Sequence, residues 1–516
     1  MTNKKSLIII GAGVSGLSAG ITWAINHDVK KDPVLIIEKN PKTGGFVTSY
    51  EREDYWFDTC QMLPNISDIL EYLGVDIELK KFKGYYMRIF HVNPETEEVK
   101  LLELPSGVET FKNYLMEKYP SNASQIEKFL DYSREMYLEL FKLKMEPKFV
   151  DILKLLFTCP KIVKNGSKTF AEYFEQFDIT EPDVKEIFNV FAEFAALPSE
   201  RVAAIVPLSA MNSLLDGTYR TTGPFIEFPN KLEKRFKELG GELMLKTEVK
   251  KVLVEGDQVK GVEIEGGEKI FSDYIINTAD TKLLMEKMIG LDIIRELDKK
   301  YAQKVEEVKM STSSMNVSLG LDDKIDLEAL GLDCGYNVLT TGGDSYDRLF
   351  DAYERREIGF SDQRFHVGVI CPSLTTGGRP NLTIRISPMA LGDWEKLRKE
   401  DRKKYNERKE KWAKFFIDKI EKYMIPDLSK HILVMDVSTP TTYKRYSGSP
   451  TGSIYGMAPY TDNFGRTRLK MRTPIKGLFN PKFVHGVFGA LLAGMQANDM
   501  ILNGKIMNGN ARYQAS

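Results

Sequence analysis

The stretch SLIIIGAGVSG, residues 6–16, places a G-x-G-x-x-G motif directly after a short run of β-branched residues. Leu7 to Ile10 is expected to form a buried parallel strand, and Leu17 to Asn26 the helix that follows it. A second apolar strand, Val34 to Ile37, ends in Glu38, which lies 22 residues beyond the last glycine of the motif. Strand, glycine turn, helix, strand and acid in this order predict a βαβ unit that binds a dinucleotide.

The glycines of this motif each have a physical role beside a diphosphate. Gly11 permits a tight turn, Gly13 lets a phosphate approach the backbone, and Gly16 lets the helix pack closely on the strand. The helix N-terminus presents unpaired N–H groups and the positive end of its dipole to the phosphates. Glu38 can accept hydrogen bonds from the ribose hydroxyls, and its charge disfavours a 2′-phosphate there.

A second glycine-rich turn, Pro41 to Gly45, follows the acid almost at once. This pairing resembles the FAD enzymes of the amine oxidase and phytoene desaturase superfamily. In that superfamily the second turn lies along the diphosphate and the ribityl chain, so the resemblance implies that the cofactor is FAD.

The C-terminal third resembles one branch of that superfamily. Residues 438–443 and 452–456 are similar to a "TP-T-…-G-GS-YG" pattern of carotenoid desaturases, carotenoid cis–trans isomerases and retinol saturases, and residues 472–479 to its "R-TPI-GLY" block. The chain departs from the family pattern in two places along the flavin. Phe46 replaces the common arginine after the second glycine turn, and the acidic or alanine-serine segment before His485 is missing, with Phe488 at the motif's proline position.

The resemblance implies a set of FAD-binding residues from both ends and the middle of the chain. They are Gly11, Gly13, Val14, Ser15, Gly16, Glu38, Lys39, Gly44, Gly45, Phe46, Val249, Thr278, Ala279, Gly486, Val487 and Gly489. His485, beside the final helix, is the candidate proton donor. The alternative for His485 is a packed or solvent-facing side chain.

Composition excludes several other classes of protein. The 516 residues carry a net charge of −1, which gives no argument for nucleic-acid binding. The four cysteines are far apart and the five histidines have no ligand spacing, so we expect reduced thiols, a cytoplasmic protein and no bound metal. We also expect neither a signal peptide nor a membrane-spanning helix.

We predict an α/β fold with a Rossmann-type FAD-binding domain of the glutathione-reductase-like kind. This domain is discontinuous and comprises residues 1–75, 211–284 and 441–516. Residues 76–210 are predicted to form an inserted helical cap, and residues 285–440 a mixed-sheet substrate domain. Within the cap, residues 147–164 combine apolar bulk with lysines, which suits either peripheral contact with the inner face of the membrane or a core helix with solvated lysines.

Three functions remain open on these grounds. The first is a FAD-dependent oxidoreductase or redox-neutral isomerase acting on double bonds of a long apolar polyene or isoprenoid, a carotenoid- or retinoid-like substrate. The second is a flavoenzyme acting on unsaturated fatty acids or amines. The third is a non-catalytic homologue that binds a nucleotide or a lipid. The oligomeric state is left open.

Overall fold

The computed structural model describes residues 4–59, 62–82, 84–143, 149–342, 349–351, 364–481, 486–504 and 506. The strands, in chain order, are β1 (Lys4–Ile10), β2 (Val34–Ile37), β3 (Ser49–Arg52), β4 (Tyr55–Asp58), β5 (Leu79–Lys81), β6 (Tyr85–Val92), β7 (Val99–Pro105), β8 (Tyr219–Thr221), β9 (Glu242–Met244), β10 (Val249–Glu255), β11 (Gln258–Ile264), β12 (Lys269–Asn277), β13 (Ser313–Leu321), β14 (Tyr336–Thr340), β15 (His366–Ile370), β16 (Asn381–Met389), β17 (Ile432–Ser438) and β18 (Leu478–Phe479).

The helices follow the same order. They are α1 (Val14–Asn26), α2 (Ser67–Leu73), α3 (Val108–Lys118), α4 (Ala123–Leu140), α5 (Phe149–Thr158), α6 (Pro160–Asn165), α7 (Phe170–Phe174), α8 (Pro182–Glu193), α9 (Ile205–Asp216), α10 (Glu227–Glu238), α11 (Leu291–Leu297), α12 (Lys299–Glu307), α13 (Ser373–Thr376), α14 (Trp394–Glu400), α15 (Arg402–Tyr423), α16 (Leu428–His431), α17 (Pro440–Ser447) and α18 (Gly486–Ile501). A π-helix covers Leu283–Ile289, and 3-10 turns cover Pro120–Asn122, Glu175–Phe177 and Gly465–Thr467.

The first sheet has the order β10-β11-β12-β1-β2-β9, and β18 pairs in parallel with the end of β12. Its centre is parallel, with Ile8 opposite both Leu35 and Ile275. Alternate residues of β1 face opposite sides: Leu7 and Ile9 pack with α1, α10 and α18, whereas Ile8 and Ile10 pack with the π-helix, α11 and α12. The sheet is thus covered on both faces, as a parallel sheet requires.

The second sheet has the order β17-β13-β16-β15-β14-β6-β7 and is antiparallel except where β6 meets β14. Helix α15 covers one face through Trp412 and Phe416, and the helices of residues 108–216 cover the other. The range 76–210, which the sequence predicts to be a helical cap, therefore also contributes β6 and β7 to this sheet. That pairing joins residues far apart in the chain, which local patterns do not reveal.

The alternating charges of Asp393 to Tyr423 predict one long helix, but the structure has two helices there, α14 and α15. Asp401 interrupts the segment with extended backbone, and its carboxylate accepts a hydrogen bond from the Lys404 N–H at 3.0 Å. This is the geometry of a helix N-cap, which favours a new start over continuation. Within the described ranges, every helix is too short or too polar to cross a bilayer.

Candidate functional site

The two glycine-rich turns lie against each other at the end of β1. Gly13 and Gly44 form an isolated parallel bridge, and the Gly44 N–H donates to the Ala12 carbonyl at 2.9 Å. Gly44 and Gly45 have φ values of +108° and +62°, in the left-handed region that favours glycine. A Cβ on Gly45 would lie 3.2 Å from the Gly13 Cα, so the close approach depends on glycine.

Thr278 closes the same loop from β12. Its hydroxyl lies 2.9 Å from the Ile10 carbonyl and 3.1 Å from the Gly11 carbonyl. A Cβ on Gly16 would stand 2.0 Å from the Gly11 carbonyl oxygen, which no backbone adjustment of a few tenths of an ångström could relieve. Gly16 is therefore needed to seat helix α1 on the loop.

Glu38 holds the loop through its carboxylate. One oxygen accepts the Ala12 N–H at 2.8 Å, and the other accepts the backbone and side-chain N–H groups of Asn40 at 2.8 and 2.7 Å. A carboxylate offers about four acceptor positions, so one remains for a ribose hydroxyl. The Thr247 N–H donates to the Glu38 carbonyl at 2.9 Å, which places Val249 at the start of β10 near this acid.

The N-terminus of α1 is open to an anion. Gly13 caps the helix without a side-chain hydrogen bond, and the first turn carries no acidic residue. The Ser15 hydroxyl is buried and, among the described residues, has no hydrogen-bond partner. A Cβ on Gly13 would meet nothing closer than the Gly45 Cα at 3.9 Å. Free donors, an orphaned hydroxyl and a glycine whose Cβ position meets no atom closer than 3.9 Å fit the diphosphate of a dinucleotide.

The C-terminal helix α18 packs on α1. The Ser18 hydroxyl donates to the Leu491 carbonyl at 2.7 Å, and the Asn498 amide donates to the Ala19 carbonyl at 2.9 Å. A Cβ on Gly494 would lie 2.3 Å from the Ser15 carbonyl oxygen, so only glycine permits this contact. Gly486, Val487 and Gly489 belong to the first turn of this helix.

A buried ion pair anchors the β3–β4 hairpin that follows the second glycine turn. Asp58 pairs with Arg220, and both side chains are almost completely inaccessible to solvent. The second Asp58 oxygen accepts the Ser49 hydroxyl at 2.6 Å and the Phe225 N–H at 3.1 Å. The Arg220 guanidinium also lies 4.8 Å from the centroid of the Phe225 ring. This network fixes the hairpin to the return strand β8 and the turn before α10.

Aromatic and cationic side chains lead from the second glycine turn to the second sheet. Phe46 is 42% exposed, and its ring centroid lies 6.2 Å from that of Tyr443. The Tyr443 phenol interacts in turn with the Arg385 guanidinium on β16, although burial raises the Tyr443 pKa overall. The rings of Phe46 and Tyr443 thus form a small apolar surface, called the phenyl wall below. Arg385 lies on the far side of the Tyr443 ring from Phe46.

A small polar cavity of about 20 Å³ lies beside Arg385. Its lining residues are Glu193, Phe194, Tyr336, His366, Gly368, Arg385, Ser387 and Tyr455. The His366 Nε2 is 2.5 Å from a Glu193 oxygen, and Arg385 donates to the Tyr455 hydroxyl at 3.3 Å. Burial raises the pKa of Glu193. This volume holds about one water molecule.

The structure brings together most of the residues predicted to bind the cofactor: Gly11, Gly13, Val14, Ser15, Gly16, Glu38, Gly44, Gly45, Thr278 and Ala279 surround one loop. Lys39 points to the end of α17, where its ammonium donates to the Arg445 carbonyl at 2.9 Å. Burial lowers the pKa of Lys39. His485, the predicted proton donor, lies outside the described residues.

Sequence reasoning missed the residues of the polar cavity. Glu193, His366 and Arg385 come from three segments that are distant in the chain, so no local motif predicts that they lie together. A signal was present: Arg385 stands between Ile384 and Ile386 in a strand of otherwise buried character. A cation inside a central strand needs a partner or a ligand.

Comparison with known proteins gives one family and a set of distant relatives. The family model described as flavin containing amine oxidoreductase matches residues 14–453. The chain is 24% identical over 502 residues to a 4,4'-diapolycopene oxygenase of Methylomonas sp, covering 94% of each protein. It is 25% identical over 506 residues to a chloroplastic prolycopene isomerase of Daucus carota, covering 93% of this chain and 76% of that one.

The solved structure of cyclohexylamine oxidase from Brevibacterium oxydans shares the fold. It superposes with a TM-score of 0.60 at 14% identity, covering 97% of this chain and 99% of that one. The predicted α/β class with a Rossmann-type nucleotide domain is confirmed.

Proposed function

This chain belongs to the flavin containing amine oxidoreductase family, and from that premise we propose that it is a FAD-dependent oxidoreductase or isomerase of long apolar polyenes. The relatives that match nearly its whole length are named a 4,4'-diapolycopene oxygenase and a prolycopene isomerase. The observation that carries the proposal is the apolar wall at Phe46, where the second glycine turn ends in an exposed phenyl ring beside Tyr443.

FAD is the cofactor, and the cradle at the end of β1 fits it. We propose that the first turn of α1 and the Ser15 hydroxyl hold the diphosphate, and that Glu38 receives a ribose hydroxyl. Bound FAD supplies hydride and single-electron chemistry, which unsaturated hydrocarbons need because they have no acidic proton or leaving group. The protein's part is to orient the polyene on the phenyl wall and to exclude water.

The proposed roles of His485 and of Val249 stay predictions. His485 would donate a proton beside the start of α18, and the backbone of Val249 would contact the adenine. The alternatives, a fatty-acid or amine substrate and a non-catalytic lipid carrier, are separated from a polyene enzyme by the experiment below.

The experiment uses the FAD-loaded protein with an acyclic carotenoid in detergent micelles. We expect the absorption spectrum of the polyene to shift, because a change in conjugation length or in cis–trans geometry alters it. The reaction is run with oxidised and with reduced flavin, and the products are separated by chromatography. No change in the polyene under either condition would overturn the proposal.

Two exposed aromatic residues provide a matched pair of variants. Phe46→Ala should lower polyene turnover about tenfold, because the substrate loses an apolar contact worth roughly 1.5 kcal/mol. Trp56→Ala, which removes a ring that is 41% exposed but belongs to β4, should change turnover less than about twofold. Equal effects of the two substitutions would show that Phe46 does not contact the substrate.

We also propose that α5 rests on the surface of a membrane. Leu153, Leu156 and Phe157 are exposed by 49%, 55% and 87%, which is unusual for three apolar side chains on one short helix. Lys154 on the same helix and Lys164 on α6 are also exposed and would meet anionic headgroups. The three cysteines that the structure describes are free and buried, which supports a location on the reducing, cytoplasmic side.

Sedimentation with anionic vesicles tests this contact. The double variant Leu156→Ser with Phe157→Ser should lose most vesicle binding, because it removes the apolar area that would enter the interface. Leu138→Ser, on helix α4, removes a leucine that is 39% exposed and should bind like the unaltered protein. Unchanged binding of the double variant would exclude α5 as the membrane contact.

A further inference from the structure

Arg385 makes no direct ion pair with any residue that the structure describes. Its guanidinium donates to the Tyr455 hydroxyl and lies among the phenols of Tyr336 and Tyr443. Across the residues described, no carboxylate reaches it within ion-pairing distance; Glu193 instead pairs with His366. A guanidinium keeps its charge at any physiological pH, and the Arg385 side chain is half-buried beside the cavity, so this charge is only partly accessible to water.

The carboxylate that lines the cavity is engaged by a histidine. Glu193 and His366 share a short contact of 2.5 Å, which occupies one oxygen of that carboxylate. The His366 Nδ1 also contacts the Thr340 hydroxyl at 3.0 Å. Glu193 is thus engaged by His366 and makes no direct ion pair with Arg385, so the Arg385 N–H groups beside the cavity are placed to donate to an anionic ligand.

The other cavity groups are suited to an oxygen ligand. The Ser387 hydroxyl is buried and has no hydrogen-bond partner in the part of the chain that the structure describes. Tyr336 reaches over Gly368 so closely that a Cβ there would lie 1.8 Å from its hydroxyl. The glycine thus keeps the phenol beside the cavity, whose volume of about 20 Å³ admits a water-sized polar group but not an apolar chain.

We propose that this cavity binds the carboxylate end of an apolar substrate or product. The planar guanidinium of Arg385 would bind the carboxylate oxygens in a bidentate manner, with Ser387 as a further donor. Tyr443 separates Arg385 from Phe46, so the polyene chain would leave the cavity toward the phenyl wall. The inference rests on the proposed function and adds to it a preference for polyenes that carry an acidic terminus.

The test measures binding rather than turnover, with three polyenes that differ only at one end: retinoic acid, retinal and retinol. Each is titrated into the FAD-loaded protein, and quenching of tryptophan fluorescence gives the dissociation constant. We expect retinoic acid to bind about 10- to 140-fold more tightly than retinol, the effect of one charge-assisted contact. In Arg385→Gln this preference should fall below about twofold, whereas retinol should bind as before.

Controls make the result decisive. Arg295→Gln, which removes an exposed arginine paired with Asp292 and Glu306, should keep the full preference for the acid. If Arg385→Gln does not fold, as judged by thermal unfolding, Arg385→Lys replaces it; the lysine keeps the charge but not the planar fork, and the preference should fall at least about threefold.

Two outcomes overturn the inference. Equal binding of the acid and the alcohol by the unaltered protein would do so while leaving the polyene proposal intact. If Arg385→Gln keeps the preference for retinoic acid over retinol, the carboxylate binds at another site. Failure of all three compounds to bind would count against both the inference and the proposed function, whereas acid binding with no turnover of a hydrocarbon carotenoid would count against the proposed function alone.

Discussion

Substituting Gly13 with alanine should separate cofactor binding from folding. Gly13 has φ −67° and ψ 172°, a conformation that alanine adopts without strain. The added methyl group would lie 3.9 Å from the nearest atom of the chain, an ordinary contact. The free energy of unfolding should therefore change by less than about 1 kcal/mol, the usual effect at a helix N-cap.

The same methyl group occupies the space in which a diphosphate would approach the backbone. Losing one charge-assisted hydrogen bond, worth about 1.5–3 kcal/mol, weakens binding by about 10- to 140-fold. The measurement is a titration of the apoprotein with FAD, followed by flavin fluorescence, together with a thermal unfolding curve without FAD. The expected result is an unchanged melting curve and a markedly weaker affinity.

Gly16→Ala is the matched comparison. Its methyl group would lie 2.0 Å from the Gly11 carbonyl oxygen, so this variant should lose about 1–3 kcal/mol of stability or more even without FAD. An affinity of Gly13→Ala for FAD within about twofold of the unaltered protein would refute the placement of the diphosphate. Equal destabilisation by the two substitutions would refute the geometry of the loop.

Three further predictions concern two buried groups and one half-buried group. Arg220→Met should lower the free energy of unfolding by about 3–5 kcal/mol, because it leaves the Asp58 charge buried without a partner; a loss below about 1 kcal/mol in chemical denaturation would contradict this. The hydrogen bond to Glu186 raises the pKa of His91 above its ordinary value of 6.5. The pair therefore contributes its full stabilisation below pH 6.5, and this contribution is lost as the pH rises through the pKa of His91 in the folded protein. His91→Gln should accordingly destabilise more at about pH 5.5 than at about pH 9, and a cost independent of pH would argue against the pair. Burial raises the pKa of Cys334 to about 11, so iodoacetamide should label it in the unfolded chain and leave it unmodified in the native one, as peptide mass spectrometry can check.

The nucleotide half of the molecule could be predicted because its signals are local. The run from Leu7 to Glu38 contains strand, turn, helix, strand and acid within one uninterrupted segment, and the structure places them at the predicted positions. The hairpin at residues 49–58 can be predicted in the same way, because its acidic tip separates two short alternating strands.

The second sheet and the polar cavity could not be predicted in the same way. Strand β6 pairs with β14 across roughly 250 residues of chain, and no periodicity within either strand specifies its partner. Arg385 meets Tyr455 and the Glu193–His366 pair only after the sheet has formed. The break at Asp401 had a sequence signal, because aspartate is a preferred N-cap, but the surrounding charge pattern obscured it.

The seating of helix α18 on helix α1 has a consequence for how the protein is made. About 460 residues separate the end of α1 from the start of α18, so a ribosome releases the first helix long before its covering partner exists. Strand β18, which completes the pairing of β12, is also synthesised near the end. During translation the nascent nucleotide domain therefore exposes an apolar surface that a chaperone would have to cover. Shortening the C-terminus should lower the solubility of the chain during synthesis even where every ligand contact is kept.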